Sequence, residues 1–251
     1  MRKASILDTI FSNGHQPETL VGRGMYHLGQ AVSFPTQKTW SGIIRARSLL
    51  MADGLLHLDT DVGVAQLSAY PMTVSYWSTR DGKTPVKRLH TPDLAIRMTD
   101  GSVTFIDYVT LNEQQAKPYF WRRHAERVRH YQNELGCAFA VHDERSVRIE
   151  PRLSNLRLMW THRSRPTEPP SLAHAREAIR MTSLPSTIRA ISEMAMLSRQ
   201  AVHWEEDDEP VLLEGVDLIF TAVMQMAMLG EVRVDLGKRI NLDSIVYGGA
   251  A

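Results

Sequence analysis

Residues 91–109, TPDLAIRMTDGSVTFIDYV, decide the fold. Two apolar runs, 94–98 (LAIRM) and 102–109 (SVTFIDYV), flank Asp100-Gly101, a turn dipeptide. They read as consecutive strands. Upstream, 62–67 is strand-like, Tyr70-Pro71 follows, and 72–78 (MTVSYWS) alternates as a strand should. Asp81-Gly82 is a hairpin signal, expected to bring 72–78 beside 94–98. Earlier still, 43–58 places Ile43, Ala46, Leu50, Leu55 and Leu58 near helical spacing, which predicts one helix ended by Asp59-Thr60-Asp61. Downstream, the basic stretch 119–135 (YFWRRHAERVRHYQNEL) predicts a helix closed by Gly136. Residues 137–142 read as a buried strand, 147–149 as a short strand and 155–160 as a helix start. Strands followed by a helix and a returning strand predict an α/β fold, a mixed sheet flanked by helices.

The proline-rich segment 164–171 (SRPTEPPS) reads as a linker. Beyond it, 172–182 and 186–199 predict helices, 203–210 an acidic loop, and 211–229 a long amphipathic helix ended by Gly230. The methionines of that helix are expected to fill a core. Two short strand-like runs, EVRVDL and INLDSIVY, complete a winged-helix pattern. The expected organisation is an N-terminal extension at 1–40, a domain at 41–163, the linker at 164–171 and a smaller α-rich domain at 172–251. Charge divides near the same place. Residues 1–165 carry 22 Lys+Arg and 15 Asp+Glu, a net of +7; residues 166–251 carry 7 and 13, a net of −6. The basic part suits a phosphate backbone and the acidic part suits protein contacts.

No apolar run approaches the roughly 18 residues that span a bilayer, so no membrane partner is expected. The start MRKASILDTIFSNGHQP has no apolar core of a secretory signal. The single cysteine, Cys137, excludes an internal disulfide and is expected as a small buried side chain. A cytoplasmic location follows as an expectation.

Several stretches, in order, resemble the catalytic domain of the TnsA family of transposon endonuclease subunits. Phe34-Pro35-Thr36 with Lys38 is similar to the family's opening motif. Arg47-Ser48-Leu49-Leu50-Met51-Ala52-Asp53 resembles a helix that the family writes Glu-Ser-x-Leu-Glu-Arg-Asp. Leu58-Asp59-Thr60-Asp61 and Tyr70-Pro71 match downstream elements, Thr91-Pro92-Asp93 matches a Thr-Pro-Asp before a strand, and Asp107-Tyr108-Val109 stands where the family has Glu-Val-Lys. Asn155-Leu156 resembles a pair near the domain's end. The resemblance covers roughly 30–163, and more loosely the C-terminal region. It implies a restriction-endonuclease-like fold followed by a winged helix. It also implies a metal-dependent DNA endonuclease centre, with the transposase and AAA+ regulator of the same element as partners.

Such a centre needs hard oxygen ligands for Mg2+, which stabilises charge on the attacked phosphate and supplies a hydroxide nucleophile. On that pattern Asp93 and Asp107 are the remnant catalytic and metal-ligand residues, converging with position 109 on one sheet edge because strand side chains alternate. Met51 replaces the helical glutamate and offers no ligand for a hard cation, and Arg47 repels one. Val109 replaces the lysine. Two of four chemical roles are therefore missing, which predicts an inactive nuclease domain that contacts DNA and docks partners. Two alternatives stay open. One is an active Mg2+-dependent endonuclease with migrated ligands, for which Asp53, Glu113 and Lys117 are the candidates. The other is a winged-helix regulator. His57, His90 and His124 lack paired metal-ligand spacing and are expected as solvated or core histidines. Arg122, Arg123, Arg127 and Arg129, flanked by Trp121 and Tyr131, are the candidate DNA contacts.

Overall fold

The computed structural model describes residues 3–18, 31–80, 84–164, 167–195, 201–202, 211–212 and 218–249. They form two compact units, Met1–Ile149 and Glu150–Ala251.

The first unit opens with α1 (Lys3–Ile10), then β1 (Val32–Pro35) paired antiparallel with β2 (Ile43–Ala46). Residues 43–58 are thus not one helix. The β-branched pair Ile43-Ile44 takes the strand, and α2 (Leu49–Asp59) starts at Ser48, whose hydroxyl accepts from the Met51 N–H at 3.2 Å. The far end of α2 is held by the opening motif. Thr36 donates to the Asp59 carboxylate, and the Lys38 ammonium donates to the carbonyl of Leu58 at 2.8 Å, placing a cation at the negative helix end.

Next come β3 (Val64–Ala69), β4 (Val74–Arg80), β5 (Thr84–His90), β6 (Leu94–Met98) and β7 (Val103–Tyr108). Helices α3 (Leu111–Ala116) and α4 (Phe120–His130) follow, then a π turn at Tyr131–Leu135, β8 (Ala138–His142) and α5 (Glu144–Val147). The main sheet has the order β3-β6-β7-β8, antiparallel except for the parallel β7–β8 pair. Leu94, Ala95, Phe105 and Ile106 are all buried, so the two strands that decide the fold are covered on both faces.

The hairpin expectation is corrected: β4 pairs with β5, with Val74 opposite His90 and Tyr76 opposite Arg88, and not with β6. Pro85 obscured β5 in the sequence. In a two-stranded ribbon its missing N–H is tolerated. The Asp81-Gly82 turn itself lies outside the described residues. No strand forms at 147–149: Val147 ends α5, which Asp143 caps through the Arg145 N–H and a capping box with Ser146, and residues 148 and 149 belong to no element. Residues 1–40 are more than an extension. Ile10 and Phe11 join Val74, Ala95, Phe105, Tyr131, Cys137 and Phe139 in one core cluster, and β1 belongs to a sheet. Cys137 is buried as expected.

The second unit contains α6 (Arg152–Thr161), α7 (Pro170–Met181), β9 (Ser186–Thr187) and α8 (Ile188–Ala195). It continues with the paired β10 (Ala201–Val202) and β11 (Val211–Leu212), then α9 (Leu218–Met228), β12 (Val232–Val234) and β13 (Ile245–Gly248). The last two strands and β9 form an antiparallel sheet in the order β12-β13-β9. Met224 and Met226 of α9 are core filling. The acidic run 205–209 lies outside the described residues.

The boundary at 149/150 precedes the proline-rich linker, so α6 goes with the second unit. Asn155 is the reason. Its buried side chain donates to the carbonyls of Leu236 (3.0 Å) and Lys238 (2.6 Å) and accepts from the Ile240 N–H (3.1 Å). Asn155→Ala leaves the buried Ile240 N–H and two part-buried carbonyls without their partner. The expected loss is on the order of 3 kcal/mol, read by urea denaturation of the full chain; a loss below about 1 kcal/mol contradicts the anchoring role. The moved boundary also softens the charge split. Residues 1–149 carry 18 Lys+Arg and 14 Asp+Glu, a net of +4; residues 150–251 carry 11 and 14, a net of −3.

Candidate functional site

The two sequence-identified carboxylates meet at one edge of the main sheet. Asp93 stands just ahead of β6, and its backbone carbonyl accepts from the Tyr70 N–H at 3.1 Å. Asp107 lies near the end of β7, where its Oδ1 accepts from the Asp93 N–H at 3.4 Å. Both are buried.

Each carboxylate is held by an arginine. Arg47, immediately before the cap of α2, makes a two-pronged pair with Asp93: Nε to Oδ1 at 2.5 Å and Nη2 to Oδ2 at 2.8 Å. The same Nη2 donates to the Tyr108 carbonyl at 2.9 Å, and Oδ2 also accepts from the Tyr108 N–H at 2.7 Å. Asp107 Oδ2 accepts from Arg127 Nη1 at 2.6 Å and bonds His90 Nε2 at 2.9 Å. His90 Nδ1 in turn bonds the Tyr131 hydroxyl at 3.0 Å. Two acids and two guanidiniums share one largely enclosed site, and their charges offset one another.

Burial pushes the Asp93 carboxyl up, with Arg47 opposing it. Burial acts the same way on Asp107, but the His90 hydrogen bond and the charges of His90 and Arg127 hold it below the ordinary carboxylate value. Burial also works against the Arg47 charge, and the Asp93 carboxylate overrides it and raises the pKa. Tyr70, Tyr108 and Tyr131 are pushed up, first by burial and then by the neighbouring acids, so they remain hydroxyls.

Met51 is fully buried, with the Tyr70 hydroxyl 3.5 Å from its sulfur. Val109 is buried, and its backbone bonds His142 and Gln114. Neither position offers a metal ligand. Mg2+ requires several free oxygens in near-octahedral array. Both oxygens of Asp93 are occupied by Arg47, and Oδ2 of Asp107 by Arg127 and His90. The residues present therefore do not fit the metal. Among the described residues no cluster of three or more His, Cys, Asp or Glu side chains forms a cation site. The migrated-ligand candidates have other work: Asp53 pairs with Arg148 at 2.8 Å, and Glu113 completes the capping box of α3 and faces Lys117 at 4.0 Å.

The four basic-helix residues are not brought together as one DNA-facing row. Arg127 is committed to the buried acids, a correction to its expected role. Arg122 donates to the Thr79 carbonyl at 2.8 Å and stacks over Tyr119. Arg129 is exposed, and Arg123 lines a cavity beside the acids. Trp121 is exposed but Tyr131 is fully buried. The signal for Arg127 was in the sequence, since Phe120, Arg127 and Tyr131 recur at helical spacing along one buried stripe. His90 was missed as a member of the acid cluster. His57 bonds the Val147 carbonyl, and His124 packs against Trp121 and Phe139, with its pKa lowered chiefly by burial.

The cavity beside the acids has a volume of about 450 Å³. A second cavity of about 470 Å³, lined by Phe11, Trp40 and Tyr70 among others, shares no wall residue with it.

No protein-family model matches this chain, and no curated protein matches it. Among the described residues no helix is long and apolar enough to cross a membrane.

Proposed function

We propose that the chain is a TnsA-like subunit of a DNA transposition complex: a nuclease-derived domain that contacts DNA and docks the transposase or AAA+ regulator without cutting. One observation carries the loss of cleavage. Arg47 occupies both oxygens of Asp93, so a protein cation sits where the resemblance calls for a metal. The loss of the glutamate at Met51 and of the lysine at Val109 agrees with it. The nuclease-like reading is supported by a helix, α2, ahead of a mixed sheet whose last strand returns parallel after α3 and α4. The winged-helix reading is supported by β9 between α7 and α8 pairing with the terminal β13, while β12 and β13 follow α9.

The test is a nicking assay on supercoiled DNA with Mg2+ and with Mn2+, comparing the natural chain with Asp93→Ala. Both are expected to stay at background. Cleavage that disappears in the Asp93 variant would falsify the dead-nuclease reading.

A further inference from the structure

The cavity beside the acid cluster is walled by Arg47, Lys87, Arg88, Lys117, Arg123 and Arg127, against one acid, Asp107. Arg47 and Arg127 are neutralised by Asp93 and Asp107. Lys117 faces Glu113 across an exposed turn at 4.0 Å, a pairing worth little in water. Lys87, Arg88 and Arg123 have no ion pair among the described residues. Glu126, on the same helix as Arg123, accepts from the N–H and hydroxyl of Thr79. Among the described residues three cations thus line one recess without an ion pair, and the one further carboxylate near them, Glu126, keeps its Oε2 buried and unpaired.

A second, independent feature points to what balances them. The Nε–H donors of Arg88, Arg123 and Arg127 are all buried and find no acceptor among the described residues. Buried donors are normally paired, and guanidiniums that turn toward the cavity can pair theirs with an acceptor that enters it. The recess is within the roughly 300–1,000 Å³ range of small-ligand sites. A carboxylate brings one charge and two oxygens. A phosphoryl group brings up to two charges and three oxygens, and guanidinium forks match its geometry.

We propose that this cavity is a metal-independent receptor for a single phosphoryl group, held by Arg88 and Arg123 with Lys87 beside them and Arg127 as the buried anchor. The phosphoryl group is either the 5′-terminal phosphate of a nucleic-acid strand or a free phosphate ion. The Arg127–Asp107 pair fixes the anchor in place, and no divalent cation is needed because the arginines already carry the positive charge. The proposal needs neither cleavage nor transposition. It fails or stands separately from the reading above, because its experiment reads binding alone.

The full chain is titrated calorimetrically in EDTA with inorganic phosphate, with a short 5′-phosphorylated single strand and with the same strand bearing a 5′-hydroxyl. Phosphate resonance broadening on the natural chain gives a second readout that requires no variant. Binding of free phosphate, or a preference of about tenfold or more for the phosphorylated end, is expected, and adding Mg2+ leaves it unchanged. Tenfold corresponds to about 1.4 kcal/mol, near the lower limit for one charge-assisted hydrogen bond. Preference for the phosphorylated strand assigns the site to nucleic-acid ends; binding of the ion without that preference assigns it to free phosphate. Arg123→Gln and Lys87→Ala each lower affinity about tenfold, whereas Arg129→Ala, an exposed cation on the same helix outside the cavity, changes it less than about twofold. The proposal is overturned if neither phosphate nor the phosphorylated end is preferred, if EDTA abolishes binding, or if Arg129→Ala costs as much as Arg123→Gln.

Discussion

Arg47→Leu is expected to destabilise the first unit by about 3–5 kcal/mol, the cost of leaving one partner of a buried ion pair uncompensated. Asp93 is the partner left behind. It is almost wholly enclosed, and without Arg47 it keeps the Tyr108 N–H as its main donor. The Tyr108 carbonyl loses a donor as well. Guanidine denaturation reads the loss directly. The companion variant Arg47→Leu with Asp93→Asn removes the stranded charge while keeping an acceptor for Tyr108, and should recover about half of the loss. If Arg47→Leu falls within about 1 kcal/mol of the natural chain, the pair is not an electrostatic lock. With Asp93 and Asp107 each compensated by an arginine, the apolar Met51 and Val109 can be buried beside them without leaving a net charge.

Gly54→Ala should lower stability by about 3 kcal/mol, at the upper end of ordinary overpacking costs. On an unobstructed helix the same change stabilises by about 1 kcal/mol, so the sign alone decides the matter. Gly54 lies inside α2, and a Cβ there would fall 2.6 Å from the Tyr108 hydroxyl, within the volume of its ring. Tyr108 is buried, and its backbone holds both Asp93 and Arg47, so it has nowhere to retreat. The contact thus links the helix carrying Met51 to the strand carrying Asp107. A double-mutant cycle with Tyr108→Leu tests it: Gly54→Ala should be nearly harmless in that background, and an equal penalty in both backgrounds contradicts the clash.

Much of the local structure was legible because local forces set it. The apolar runs at 94–98 and 102–109 and the cap signal at Gly136 became elements close to their expected bounds, whereas the helix expected over 211–229 is described only as α9, with Val211–Leu212 drawn into a strand by pairing with β10. The misreadings have a common origin. Residues 43–46 satisfy helical spacing as well as strand alternation, and pairing with β1 resolved the ambiguity. Residues 84–90 looked too polar and carry a proline, yet they form a strand because β4 offers a partner. Asn155, expected near the end of the first domain, is claimed by three backbone groups of the second unit.

The sequence by itself determined that Asp93 and Asp107 come together, through the two-residue period of a strand and the short turn between the runs that bear them. It also determined that no carboxylate stands at Met51 and no cation at Val109, since residue identity needs no structure. Only the tertiary structure decided that Arg47 would close on Asp93 and that Arg127, on the buried stripe of its helix, would find Asp107 as its partner. A charged side chain shows its sign in the sequence but not its partner. The partner is set by which groups are desolvated side by side, and here those groups are 46 and 20 residues apart along the chain.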